Sequence, residues 1–123
     1  MSDAWRSYES APEPGALVCA SSQIAEGAAR CLTVETEKGA FPLLVMRRSG
    51  GVQAFVNACP HQYLPLDYRS ASVLSADGTR FLCSAHGAAF DVTTGACLSG
   101  DAAEGLDPVP VTEDANGNLR IGP

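Results

Sequence analysis

The chain has two histidines, and each stands one short step from a cysteine, as Cys59-Pro60-His61 and Cys83-Ser84-Ala85-His86. Five cysteines are spread over 123 residues, so this pairing singles out two short segments, each offering one thiolate and one imidazole. Such donors suit two kinds of metal centre. Zinc takes Cys and His together in tetrahedral sites, and one class of [2Fe–2S] centre has two His in place of two Cys on one iron. Structural zinc sites usually keep the Cys pair and the His pair in separate motifs, whereas here each segment mixes one of each. The interleaving favours the diiron centre and leaves zinc, or a chance pairing of Cys with His, open.

Strands must position these segments, because no stretch keeps a helical period for three turns. Short strands are expected at residues 17–19, 31–36, 41–48 and 52–57, with Leu32 and Val34 on one face of the second. Lys38-Gly39 and Ser49-Gly50-Gly51 supply the turns between them. Residues 23–29 have room for one helical turn. Residues 59–72, rich in Pro, Tyr and polar side chains, read as a loop. Val73-Leu74 and residues 80–82 flank Asp77-Gly78, a dipeptide favoured in tight hairpins. That hairpin returns the chain to Cys83, so the two donor segments can lie side by side. A second small hairpin joins residues 89–92 and 96–98 about Thr93-Thr94-Gly95. Val109 and Val111, set between prolines, suit an edge strand, and Asn116-Gly117 turns into Leu119 and Ile121. About ten short strands with frequent Gly turns describe an all-β antiparallel sandwich or barrel.

A chain of this length makes about one domain, with a core that holds without disulfides. Its apolar content of 46% is ordinary for a folded protein. Cys19, Cys31 and Cys97 read as small buried hydrophobes rather than bridges. The longest apolar run, residues 41–46, is interrupted by Pro42 and falls far short of the roughly 20 residues a membrane span needs. Residues 1–15 mix Asp3, Arg6, Glu9 and Glu13 with Pro12 and Pro14 and lack the apolar core of a signal peptide, so a cytoplasmic location away from the membrane is expected. A net charge of −6 and a pI near 4.7 argue against nucleic-acid binding and suit docking on a basic partner.

His86 is followed by Gly87, Ala88-Ala89-Phe90-Asp91, Thr94-Gly95 and Ser99-Gly100, and His61 by Tyr63-Leu64-Pro65-Leu66. Cys-x-His, an interval of residues 62–82, Cys-x-x-His-Gly, Phe-Asp and Thr-Gly together resemble the Rieske [2Fe–2S] family. The resemblance runs from residue 17 to 121 and is specific between Asn57 and Gly100. It implies one domain over residues 1–123, a Rieske-type antiparallel β sandwich whose small cluster-binding subdomain, about residues 57–102, carries two ligand loops. It implies one [2Fe–2S] cluster, with Cys59 and Cys83 on the inner iron and His61 and His86 on the outer iron through Nδ1. Gly87 would pass close to the cluster and offer its backbone amide to a sulfide. Leu64, Pro65, Leu66 and Phe90 would wall the site from water. A third loop, often Gly-Pro-Ala in the family, is here Gly100-Asp101-Ala102.

Departures from the high-potential respiratory members narrow the expectation. Leu64 and Ala85 stand where those members carry a disulfide, and Ala88 and Phe90 stand where they place Ser and Tyr hydroxyls. Hydroxyl donors stabilise the reduced cluster, so their absence predicts the lower half of the roughly −150 to +300 mV range. Exposed imidazole edges would release a proton on oxidation, which makes the potential fall as pH rises. With no open coordination position and no histidine left for a second iron, the expected role is a low-potential electron carrier rather than an enzyme. The resemblance is to the ferredoxin type, which takes single electrons from a flavin-dependent NAD(P)H reductase and gives them to a terminal oxygenase. A small Rieske subunit of a nitrite-reductase type of complex, a redox sensor and a zinc-stabilised β module are the alternatives.

Overall fold

The computed structural model describes residues 4–8, 10–48, 51–58, 66, 73–82, 89–99 and 105–122. Among these residues, the regular elements are strands and two 3₁₀ turns, Ala4–Ser7 and Ser21–Gln23. In chain order the strands are β1 (Leu17–Ala20), β2 (Ala29–Thr36), β3 (Gly39–Arg48), β4 (Gly51–Val56), β5 (Arg80–Leu82), β6 (Ala89–Asp91), β7 (Cys97–Ser99), β8 (Pro108–Val109), β9 (Val111–Glu113) and β10 (Asn118–Ile121). All strand ladders are antiparallel, which is the all-β class expected. The chain forms two compact units, Met1–Val56 with Asp107–Pro123, and Asn57–Leu106.

The first unit holds a four-stranded sheet in the order β2-β3-β4-β8 and a three-stranded sheet in the order β1-β10-β9. The period-two pattern of β2 sets its register, pairing Leu32 with Leu43 and Val34 with Phe41. Further along β3, Leu43, Leu44, Val45 and Met46 are all buried, so both faces are covered there. That double burial explains why alternation gives way to a continuous apolar run. Pro42 lies one residue past the last β3–β4 pair, Leu43↔Val56, so on that side its missing N–H breaks no ladder. The run expected as one edge strand about Val109 and Val111 splits at Pro110. Val109 pairs with Ala54 at the edge of the larger sheet, and Val111 pairs with Ile121 at the edge of the smaller.

Two local readings need correction. The helical turn expected within residues 23–29 is the 3₁₀ turn Ser21–Gln23. Beyond it, the Gly27 N–H donates to Arg47 O at 2.8 Å and Arg47 N–H to Ala28 O at 3.2 Å, so bonding to β3 draws these residues out of a helix. Residues 1–15 carry no element in the sequence reading, yet Trp5 is buried in the turn Ala4–Ser7. Trp5 and Tyr8 meet Phe41 edge-on, with ring centroids 6.4 and 6.0 Å away, and the Tyr8 hydroxyl donates to Asp107 Oδ2 at 3.0 Å.

A polar tie reinforces the same unit. The buried Ser21 hydroxyl donates to Glu113 Oε1 at 2.6 Å and accepts from the Arg47 guanidinium, which also reaches Ile24 O at 2.7 Å. Cys19, Cys31 and Cys97 are half-buried rather than buried, and partial burial raises the Cys19 thiol above its usual pKa despite the nearby Arg30 charge.

Candidate metal centre

The second unit is built on a small sheet, β5-β6-β7. Arg80 pairs with Asp91, Phe81 with Phe90 and Leu82 with Ala89, while Ala89 also pairs with Ser99. Val73-Leu74, expected as a strand, forms an isolated bridge, Leu74↔Phe81, with Leu82 N–H donating to Val73 O at 2.7 Å. Asp77 holds the turn between them. Its Oδ1 accepts from Ser75 Oγ at 2.6 Å, Thr79 N at 3.1 Å and Thr79 Oγ1 at 2.7 Å. These donors keep the Asp77 carboxyl well below the usual carboxylate range. Asp91 caps the other turn, accepting from Thr93 N at 2.7 Å and Thr94 N at 3.0 Å.

These pairings give the sheet two unlike ends. Both acidic turns lie at one end. At the other stand Val73, Leu82, Ala89 and Ser99, joined by Leu82–Val73, Leu82–Ala89 and Ala89–Ser99 pairing. Residues 83–88 connect the ladder partners Leu82 and Ala89, and residues 59–72 lead into Val73. The sheet therefore brings together the ends of both donor-bearing segments. Cys59, His61, Cys83, His86 and Gly87 themselves lie outside the described residues, as do Leu64, Pro65, Ala85, Ala88 and Gly100-Asp101-Ala102. Two of the expected wall residues are described, and Leu66 and Phe90 are both fully buried.

The surroundings suit a [2Fe–2S] group. Val73 and Ala89, where these segments meet the sheet, are buried and apolar, as are the neighbouring Phe81 and Phe90, and such surroundings limit access of water and competing ligands. The two Cys and two His of these segments would supply the thiolates and imidazoles that an iron–sulfur centre of this kind requires. Among the described residues, no group of three or more His, Cys, Asp or Glu side chains offers a rival metal site. No helix among them is long and apolar enough to cross a membrane.

Two features of this unit were not foreseen from sequence. Asn57 is buried, and its Oδ1 accepts from Leu66 N–H at 2.8 Å, closing the segment that contains Cys59 and His61. Its only signal is a polar residue ending the apolar run Ala54-Phe55-Val56. Gly105 packs against Gly95 so closely that a Cβ there would drive into the Gly95 carbonyl and stand 2.9 Å from Ala96 Cα. Leu106 N–H donates to the same carbonyl at 2.7 Å.

Comparison with known proteins matches residues 16–111 to the Rieske [2Fe-2S] domain. The ferredoxin of carbazole 1,9a-dioxygenase from Nocardioides aromaticivorans IC177 shares the fold, with a TM-score of 0.69 at 23% identity over 90% of this chain and 99% of that one. The Sphingomonas yanoikuyae B1 ferredoxin gives a TM-score of 0.67 at 26% identity, over 89% of this chain and 98% of that one. A chain from the complex of reduced oxygenase and oxidized ferredoxin in carbazole 1,9a-dioxygenase gives 0.65 at 27% identity, over 86% and 90%. Comparison with curated protein sequences returns no match. The family match spans most of the sequence, both Cys–His segments included, so this chain belongs to the Rieske [2Fe–2S] family and its cofactor is a Rieske-type [2Fe–2S] cluster.

Proposed function

We propose that this chain is a low-potential Rieske ferredoxin of the cytoplasm, carrying single electrons from a flavin-dependent NAD(P)H reductase to a terminal oxygenase. The observation that carries this reading is its likeness to a ferredoxin over nearly the full length of both chains. Likeness to a chain from an oxygenase–ferredoxin complex supports the same direction of transfer. In this reading Cys59 and Cys83 hold one iron as thiolates, and His61 and His86 hold the other as neutral imidazoles. Gly87 admits the backbone close to the group. When bound, the cluster takes up and gives back one electron at a time.

Phe90 supports the low potential. Its ring is fully buried at the middle of the strand Ala89–Asp91 and brings no hydroxyl to stabilise added negative charge. The net charge of −6 favours encounter with a basic partner surface, an attraction that salt screens.

The test is an anaerobic redox titration followed by stopped-flow reduction with NADH and the flavin reductase of a dioxygenase system. The expected midpoint lies below about +100 mV, with reductase-dependent bleaching that slows as salt rises and recovers when oxygenase is added. A midpoint clearly above that value, or bleaching that does not depend on the reductase, contradicts the assignment. Stable co-purification with a large catalytic subunit would favour the nitrite-reductase type of role instead.

A further inference from the structure

We propose that Asn57 is a positioning residue for the cluster, its side-chain amide pinning together the two ends of the segment that carries Cys59 and His61. The inference rests on the assignment of those two residues as ligands. Among the described residues only two polar side chains are buried, Ser21 and Asn57, and they do different work. Ser21 ties distant parts of the first unit through Arg47 and Glu113. Asn57 instead accepts from Leu66 N–H, a bond that closes the span of residues 58–65.

Burying an amide is costly unless it is hydrogen-bonded, and an apolar residue would better continue Ala54-Phe55-Val56 into the core. The bond from Leu66 satisfies the amide oxygen. Leu66 is itself fully buried, so the far end of the segment is held twice, by its side chain and by its N–H. A short segment fixed at both ends has less freedom to lose when it presents a thiolate and an imidazole to iron. Partners that orient ligands in this way typically change metal retention by about tenfold or more when removed.

The experiment compares wild type, Asn57→Ala, Asn57→Asp and Ser21→Ala. Iron and inorganic sulfide per chain, the rate of cluster loss to a chelator, and the EPR line shape of the reduced protein are measured. Asn57→Ala should lose its cluster about tenfold faster, with a changed line shape. Asn57→Asp keeps an acceptor in the same place, so it should restore retention while its added charge lowers the potential. Ser21→Ala, a buried polar deletion in the other unit, should lose cluster at the wild-type rate. Amide exchange supplies a check without a variant, since the Leu66 N–H should stay protected for as long as the cluster is held. Unchanged retention in Asn57→Ala, equal acceleration by Ser21→Ala, no rescue by Asn57→Asp, or free exchange at Leu66 in the loaded protein overturns the proposal. Wild type lacking iron and sulfide would instead strike the ligand assignment itself.

Discussion

In the first unit, β2 and β3 pair along eight residues of each strand and β3 continues into a ladder with β4, with Phe41, Leu43, Leu44, Val45, Met46, Ala54, Phe55 and Val56 all buried. In Asn57–Leu106, by contrast, β5, β6 and β7 have three residues each. Side-chain bonds to backbone at Asn57, Asp77 and Asp91 supplement that small sheet. The first unit is held by ladder length and apolar burial, and the second by turns and close backbone packing. In the proposed reading the cluster adds to the second unit the holding that its short ladders lack.

Removing the cluster with a chelator should break this contrast most visibly. Amide protection at Phe81, Leu82 and Phe90 is expected to collapse while Leu43–Met46 stay protected, and simultaneous loss in both units would refute the division of labour. Leu43→Ala should act on the other side. It deletes a fully buried side chain on β3 and should cost about 2–5 kcal/mol in denaturant unfolding. Gly105→Ala should cost roughly 1–3 kcal/mol and shed cluster faster, because the new methyl meets the Gly95 backbone rather than a flexible side chain. If Gly105→Ala matches wild type in both measurements, close packing does not hold this unit.

These differences also explain what the sequence made legible. Alternation at Leu32 and Val34, the apolar run at residues 41–48, and the Asp77-Gly78 and Asn116-Gly117 turns lie in local residue order, and the strands follow them closely. The family and its cofactor were legible for a different reason, since Cys and His spacing is chemistry written in the chain. Trp5 was hidden because its burial depends on Phe41, distant in sequence, while its neighbours are charged or proline-rich. Gly105 against Gly95 and Asn57 beneath Leu66 were hidden likewise, because a close approach or a single side-chain bond leaves no periodic trace.

The smallest expected effect concerns acid. Donors to Asp77 and Asp114 hold both carboxyls below their ordinary range, so the stability they contribute is present above the unfolded value of about 3.9 and is lost as pH falls through the lower folded values. Asp77 is exposed and Asp114 half-buried, so water screens the effect. Asp77→Asn should lessen, without abolishing, the fall of the urea midpoint below about pH 4, since Asp114 still titrates. An unchanged pH slope would remove Asp77 from the acid response.

Pulsed EPR of the dithionite-reduced protein tests the central claim most directly. The chain has only two histidines, so two strongly coupled nitrogens at the cluster would identify His61 and His86 as ligands beside Cys59 and Cys83. That is the predicted result. A reduced cluster without nitrogen coupling, or a protein that holds zinc but neither iron nor inorganic sulfide, would contradict it.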